Sequence, residues 1–117
     1  MASLGELERS IMERLWATGD ALSAYDLVDD LAGENRRLAP TTVLTVLGRL
    51  ENKGFVRRER TSRPHRYRAA ATREDHMAEL MHEVLGTAGD RVAVLERFVG
   101  QASPEEAAAL RRLLDRR

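Results

Sequence analysis

The amino-acid sequence predicts a mainly α-helical protein that carries one small β-hairpin. Apolar residues recur every three or four positions along most of the 117-residue chain, and that interval places them on one face of a helix. Between residues 55 and 69 the helical interval gives way to two short runs that contain β-branched and aromatic residues. The segment Thr-Ser-Arg-Pro separates these runs, and such a segment is typical of a hairpin connection.

Two helices are predicted within the first 35 residues. The first ends near Gly19, because glycine readily takes the left-handed conformation that closes a helix, and Trp16 lies at its packed end. After a short apolar link around Leu22, Ser23 is placed to cap a second helix that runs to about Asn35. The buried sides are formed by Leu4, Leu7, Ile11, Met12 and Leu15 in the first helix, and by Tyr25, Leu27, Val28 and Leu31 in the second.

Local chemistry also bounds a third helix and the hairpin that follows it. Pro40 fits the first helical turn, Ala39 before it is driven towards extended backbone, and Gly54 is a suitable left-handed stop. The two strands are predicted at residues 55–60 and 65–69, with residues 61–64 as their connection. The apolar residues expected to anchor these strands on the core are Phe55, Val56 and Tyr67.

Three further helices are predicted after residue 71. Thr72 opens the fourth helix. Ser103, Pro104 and Glu106 supply a cap, a first-turn proline and a capping-box acid for the sixth. The apolar stripes of these helices are Met77, Leu80, Met81, Val84, Leu85 and Ala88 in the fourth, Val92, Leu95, Phe98 and Val99 in the fifth, and Leu110, Leu113 and Leu114 in the sixth.

The order of three helices and a hairpin is that of a winged helix-turn-helix domain, which we predict for residues 1–70. Residues 71–117 form a second, helical domain whose apolar stripes are too narrow to close a core alone. We expect a second copy of the chain to bury them; the alternative is that these helices fold back on their own winged helix. The predicted dimerisation residues are Met77, Leu80, Met81, Val84, Leu95, Phe98, Leu110, Leu113 and Leu114.

Composition excludes several classes of function. The chain has no cysteine, which removes disulfide frameworks, thiolate metal sites and thiol nucleophiles. The sequence has neither a Ser/His/Asp order with supporting loop motifs nor a glycine-rich phosphate loop, so we expect no enzyme and no cofactor. No signal segment and no run near the ~20 apolar residues of a membrane span is found. A cytoplasmic protein without membrane insertion is therefore expected.

A metal site in the fourth helix is disfavoured. Glu79 and His82 have the Glu-x-x-His spacing of di-iron bundles, but such a site needs a second motif and further carboxylates. His76 and His82 are six residues apart and so lie on different helical faces. We therefore expect exposed or interface histidines and no bound metal.

The formal net charge of zero hides a strong segregation of charge along the chain. Residues 36–68 contain ten basic residues and two acidic ones, whereas residues 1–35 contain two basic residues and eight acidic ones. Like charges held this close together repel one another and are stabilised beside a polyanion, so the basic segment indicates nucleic-acid binding. The hairpin arginines in this segment are Arg57, Arg58, Arg60, Arg63, Arg66 and Arg68.

The third helix has an unusual composition on its exposed side. At about 100° per residue, Val43, Leu47 and Leu50 fall together and face the core. The opposite side holds short hydroxyl residues and an arginine, where a merely solvated surface would more often use Glu, Lys, Gln or Ala. Hydroxyls can bind phosphates or base edges, and arginine can fork onto guanine. The residues predicted to read DNA are Thr41, Thr42, Thr45, Arg49 and Asn52.

The segment TTVLTVLGRLENKGFVRRERTSRPHRYR resembles the signature of the penicillinase-repressor (BlaI/MecI) family, and LGELERSIMERLW is similar to the start of that family. The resemblance covers essentially the whole chain. It implies a homodimeric winged-helix repressor that binds palindromic operator DNA with its amino-terminal domains and dimerises through its carboxy-terminal helices. It also places Thr41, Thr42, Thr45 and Arg49 on the recognition helix, and Arg60, Arg63 and Arg66 on the wing.

The resemblance further implies a signalling route. Members of this family often control β-lactam resistance genes, and some are inactivated when a membrane metalloprotease that senses β-lactams triggers cleavage in the dimerisation helices. The Asn-Phe pair associated with cleavage in staphylococcal members is missing here, and Arg97-Phe98 is the nearest candidate bond. A copper-sensing branch uses a carboxy-terminal cysteine cluster, which this chain lacks. Two other functions stay open: a protein-interaction module that binds an acidic partner, and a ligand-responsive regulator.

Overall fold

The computed structural model describes residues 4–116, which form six α-helices and three short β-strands. This architecture confirms the predicted fold class, mainly helical with a small β-hairpin. The elements in chain order are α1 (Glu6–Thr18), β1 (Leu22–Ser23), α2 (Ala24–Ala32), α3 (Pro40–Asn52), β2 (Val56–Glu59), β3 (Arg66–Ala69), α4 (Arg73–Gly86), α5 (Arg91–Gly100) and α6 (Pro104–Asp115).

The three strands form one antiparallel sheet in the order β1-β3-β2. The pairing of β2 with β3 runs from Val56 opposite Ala69 to Glu59 opposite Arg66, and β1 places Leu22 opposite Tyr67. The sequence predicted only an apolar link at Leu22. The two residues of β1 are extended because they pair with β3, which lies far along the chain. Their neighbours in sequence therefore give no sign of a strand.

The hydrophobic core lies between α1, α2, α3 and the inner face of the sheet. Val56 and Tyr67 are buried and Phe55 packs at the edge, as expected for the anchors of the hairpin. Leu4, Leu7 and Trp16 are partly buried against the same core. The buried apolar residues are Ile11, Met12, Leu15, Ala24, Leu27, Leu31, Val43, Val46, Leu47, Leu50, Val56 and Tyr67.

Most helix ends follow the predicted local chemistry. Gly19 closes α1 with φ of 70°, and Gly54 follows α3 with φ of 84°, the left-handed region that glycine enters without strain. Pro40 is the first residue of α3. At α6, the Glu106 amide donates to Ser103 Oγ at 3.1 Å, and the Ser103 amide donates to Glu106 Oε1 at 2.8 Å. This capping box satisfies two amides that the helix itself leaves unpaired.

Helix α2 ends at Ala32, three residues before the predicted end near Asn35. Asn35 takes a left-handed φ of 63°. The Arg36 amide then donates to the Leu31 carbonyl at 2.9 Å, and the Asn35 amide donates to the Ala32 carbonyl at 3.1 Å. These two bonds form a Schellman turn, so the predicted stop residue closes the turn that follows the helix rather than the helix itself.

Two predicted side-chain environments are wrong. Tyr25 is 57 % exposed, because it lies about 120° around α2 from the buried Leu31. His76 was expected to be exposed or at an interface, yet it is only 6 % exposed. Its ring lies 5.4 Å from the Trp16 ring and 5.1 Å from the Phe55 ring, measured between centroids. Neither nitrogen of His76 has a hydrogen-bond partner among the described residues.

The first turn of α4 is fastened to α1 around the same tryptophan. Trp16 Nε1 donates to the Ala71 carbonyl at 3.0 Å, and the Arg73 guanidinium lies 5.7 Å from the centre of the Trp16 ring. Arg73 also donates to Glu13 Oε2 at 2.6 Å. Residues 71–76 therefore belong to the packing of the amino-terminal helices.

The chain divides into two compact units, residues 1–78 and 79–117, and α4 spans the division. The first unit contains every buried apolar residue of the core. In the second unit, none of the described residues is buried. The large apolar side chains exposed there are Met81, Val84, Val92, Val94, Leu95, Phe98, Val99, Leu113 and Leu114.

Candidate nucleic-acid interface

Helix α3 separates a fully buried side from a fully exposed side. Val43, Leu47 and Leu50 have no exposed surface, as the helical wheel predicts. The opposite side extends about 17 Å along the helix at a rise of 1.5 Å per residue. The five residues predicted to read DNA are all exposed along this side, which we call the reading face: Thr41, Thr42, Thr45, Arg49 and Asn52.

The reading face also includes Leu44 and Gly48, which were not among the residues predicted to read DNA. Leu44 is 43 % exposed. A Cβ atom added at Gly48 would meet no atom within 4 Å outside the backbone of its own helix, so packing within the protein does not require glycine there. Glycine inside a helix costs about 0.5–1 kcal/mol relative to alanine. The same helical wheel places both residues beside Thr41 and could have found them.

Thr45 has a restricted hydrogen-bonding role. Its Oγ1 donates to the Thr41 carbonyl at 2.9 Å, and a threonine hydroxyl has only one hydrogen to donate. Towards a ligand, this hydroxyl can therefore only accept. Thr45 is suited to the amino group of a base or, through its methyl group, to thymine, and it is not suited to donate to a phosphate.

Strands β2 and β3 and the connecting residues 60–65 form a hairpin, which we call the wing. The pairing of the two strands places their arginines on two faces. Directly opposed residues in an antiparallel pair share a face, and successive residues of a strand alternate. Arg58 therefore shares the core-side face with its partner Tyr67, whereas Arg66 lies on the outer face with its partner Glu59. The outer face also holds Arg57 and Arg68, which oppose one another.

Arg58 and Arg60 both lie beside α3, where each faces one oxygen of the Glu51 carboxylate. Arg58 Nη2 lies 3.5 Å from Glu51 Oε1, and Arg60 Nη2 lies 3.6 Å from Glu51 Oε2. Arg60, one of the predicted wing residues, is thus held near the reading face. Glu51 was not predicted to have a role, although it is one of only two acidic residues in the basic segment 36–68.

The other two predicted wing residues, Arg63 and Arg66, lie in different environments. Arg63 is exposed in the connection between the strands and has no ion-pair partner among the described residues. Arg66 lines a groove with Asp26, Asp29 and Asp30. Acidic neighbours lower the positive potential around Arg66, and its contact with DNA stays a prediction.

Three arginines surround the histidine in the connection of the wing. His65 is half-buried. Desolvation lowers its pKa below the ordinary 6.5, and the positive charges of Arg63, Arg58 and Arg60 lower it further, while Glu51 partly opposes them. Burial and the three arginines therefore favour the neutral form of His65 in the free chain.

The carboxyl end of α3 is fixed to α1 by the single lysine of the chain. Lys53 Nζ lies 2.9 Å from both carboxylate oxygens of the buried Glu8. Burial alone would raise the pKa of Glu8. The Gly5 amide, Lys53 and the charge of Arg49 outweigh burial and hold that pKa below the ordinary 4.5. The reading face is thus supported at this end by an ionised pair.

Residues 4–116 contain no helix that is long and apolar enough to cross a membrane. The same residues contain no group of three or more histidine, aspartate or glutamate side chains that could hold a metal ion.

Comparison with known proteins gives consistent results. The sequence profile of the penicillinase repressor family matches residues 4–116. The Transcriptional regulator BlaI of Mycobacterium tuberculosis, in strains CDC 1551 / Oshkosh and ATCC 25618 / H37Rv, is 39 % identical over 117 residues, covering 97 % of this chain and 84 % of the relative.

Two solved structures share the fold. One is a MarR family protein from Bacillus stearothermophilus, with 21 % identity and a TM-score of 0.53, covering 98 % of this chain and 73 % of that one. The other is the complex structure of hsRosR-S4, with 19 % identity and a TM-score of 0.56, covering 92 % of this chain and 93 % of that one. At these identities the likeness concerns the fold alone.

The profile match spans nearly the whole chain, and the identity to the curated relatives extends over the same length. The chain therefore belongs to the penicillinase-repressor family, and it is a transcriptional repressor with a winged-helix fold rather than an enzyme.

Proposed function

We propose that the chain is a dimeric repressor that binds a palindromic double-stranded operator, with α3 in the major groove and the wing on the adjacent backbone. The reading face is the observation that supports this proposal best. Hydroxyl, guanidinium and amide groups are exposed there, directly opposite a fully buried apolar side. These groups match the donors and acceptors of base edges.

Base reading and backbone binding are assigned to different parts of the surface. The reading face carries one arginine, Arg49, among neutral residues, and a single guanidinium can discriminate guanine through two hydrogen bonds. Arg63 is exposed without an acidic partner among the described residues. An unpaired cation on a wing is suited to displace counterions from a phosphate, which strengthens binding to any sequence.

The proposed partner of residues 79–116 is a second copy of the chain. Val84 is 70 % exposed and Phe98 is 57 % exposed, and a monomer that exposes many large apolar side chains tends to associate. A symmetric dimer would cover the same stripe on both copies. Of the predicted dimerisation residues, Leu80 and Leu110 are half-buried in the single chain, and Met77, Met81, Val84, Leu95, Phe98, Leu113 and Leu114 are exposed.

Selection of bound duplexes from a randomised DNA library tests this function. We expect an enriched inverted repeat whose half-sites lie about 10–10.5 base pairs apart, or a multiple of that spacing. The upstream DNA of the chain's own gene should contain the repeat, and its affinity in gel-shift titrations should fall steeply with salt. Binding without any enriched sequence would contradict the proposal and favour a generic basic surface.

Substitution of one arginine from each part tests the division of labour. Arg49→Ala is expected to weaken operator binding by about 1–3 kcal/mol while random DNA is held almost as before. Arg63→Ala is expected to weaken both duplexes alike and to reduce the salt slope by about one. Fluorescence anisotropy titrations over salt measure both effects. Equal losses on operator and random DNA for Arg49→Ala would contradict the assigned roles.

Relief of repression is proposed to act on the dimer inside the cytoplasm. Arg97–Phe98, the bond nearest to the family's cleavage motif, lies within α5, so a protease must first open that helix to reach the bond. Neighbouring genes for a β-lactamase and a membrane metalloprotease would support a proteolytic route. Mass spectrometry of the chain after exposure to that protease gives the direct test, and an intact chain would contradict the route.

A further inference from the structure

Glu51 is a carboxylate placed between the reading face and the wing. It lies about 80° around α3 from Thr41, at the edge of the reading face. Its side chain is 27 % exposed, and each of its two oxygens faces a different arginine, Arg58 at 3.5 Å and Arg60 at 3.6 Å. One acid therefore connects α3 to two positions of the wing.

Neither fold stability nor raw affinity explains an acid at this position. Both distances exceed those of good hydrogen bonds, and partly exposed ion pairs contribute only about 0–1 kcal/mol. A negative charge inside a surface that binds a polyanion also weakens binding to every DNA sequence. A neutral residue at position 51 would give about the same fold stability and a higher affinity for DNA.

The geometry of the two arginines indicates what the carboxylate does. Arg58 starts from the core-side face of the sheet, its side chain is as little exposed as that of Glu51, and its Nε has no hydrogen-bond partner among the described residues. Arg60 is 67 % exposed and has only Glu51 as its ion-pair partner among these residues. The carboxylate is thus the group that orients both guanidinium ends beside α3.

We infer that Glu51 is a positioning residue for sequence discrimination, which holds Arg58 and Arg60 in one orientation beside the reading face. This inference rests on the proposed function. An operator that fits the held arginines gains both contacts without the cost of ordering two flexible side chains. In a duplex of another sequence, the phosphates lie elsewhere and the carboxylate restrains the two arginines from reaching them. Glu51 therefore weakens binding to the wrong sequences.

The test compares Glu51→Gln with a matched control, Glu59→Gln. Glu59 is the other acid of the basic segment, and it pairs with Arg68 on the outer face at 3.3 Å, away from α3. Affinities for the selected operator and for a shuffled duplex of the same composition are measured over a range of salt. Thermal melting of each variant reports on the fold.

Glu51→Gln is expected to raise affinity for the shuffled duplex but not for the operator, where the lost positioning of the two arginines offsets the removal of the negative charge. The ratio of the two affinities should then fall about threefold. Glu59→Gln is expected to raise both affinities by one common factor, which leaves the ratio unchanged. The inference is overturned if Glu51→Gln also changes both affinities by a common factor, or lowers only the melting temperature. A wild-type chain without sequence preference would instead remove the proposed function itself.

Discussion

Residues 4–78 and residues 79–116 each leave one face without a partner, and the two faces have opposite chemistry. In the first region three helices and a sheet close a core, and the open face is the polar, arginine-bearing side of α3. In the second region none of the described residues is buried, and the exposed side chains include many large apolar ones. A polar face that carries an arginine beside an arginine-rich wing suits a polyanion, and exposed apolar side chains suit another protein chain. We therefore expect a different partner for each region.

The largest expected effect tests whether the first region closes its core alone. Leu47 is fully buried, whereas Leu44 on the same helix is 43 % exposed. Leu47→Ala should reduce the free energy of unfolding by about 2–5 kcal/mol, because it leaves a cavity. Leu44→Ala should change it by no more than about 0.5 kcal/mol. Urea unfolding measures both, and similar losses at the two positions would contradict the assigned core.

The next effect tests whether the second region requires a partner. Val84 is 70 % exposed in the single chain, so aspartate there should be harmless to a monomer. In the proposed dimer the same charge would be buried, and dissociation should increase about 100-fold. His82→Asp is the control, because His82 is exposed about 160° away on α4. Analytical ultracentrifugation measures the dissociation of the two variants. Equal dissociation constants would show that the interface lies elsewhere.

A smaller effect concerns the ion pair that supports the reading face. Glu8→Gln should cost about 1–3 kcal/mol of stability at neutral pH, since Lys53 then loses its charged partner. The pKa of Glu8 is below its ordinary 4.5, so this contribution is complete above pH 4.5 and disappears as the pH falls through the folded-state pKa. Melting curves should therefore differ at pH 7 and converge in acid. A difference that persists in acid would show that the ion pair is not its origin.

The smallest effect separates stability from function on the reading face. Gly48→Ala should increase the free energy of unfolding by about 0.5–1 kcal/mol, because alanine favours helix and its Cβ meets no atom within 4 Å outside the backbone of α3. Operator affinity should nevertheless fall about tenfold, since the new methyl group stands where DNA approaches α3. The shuffled duplex is the control and should bind as before. Unchanged operator affinity would show that DNA does not approach this glycine closely.

The sequence predicted those parts of the fold that local chemistry determines. Pro40 and Gly54 bound α3, and Ser103 with Glu106 caps α6, because each of these effects needs only neighbouring residues. The parts that failed depend on distant residues. Strand β1 exists through pairing with β3, and His76 is buried only because Trp16 and Phe55 meet around it.

The candidate site was predicted unevenly for the same reason. Helical periodicity was sufficient to identify the five predicted residues of the reading face, and the same wheel could have added Leu44 and Gly48. The faces of the wing depend on strand register, which sequence alone did not provide. Register places Arg66 on the outer face, near the aspartates of α2, and leaves Arg60 beside Glu51.

The most direct test of this account is sedimentation equilibrium of the wild-type chain, alone and mixed with its operator duplex. The contrast between a region with a closed core and a region with exposed apolar side chains predicts a species of twice the chain mass in the absence of DNA, and two chains on each duplex in its presence. A monomer in solution that binds DNA one chain at a time would contradict the claim that a second copy covers residues 79–116.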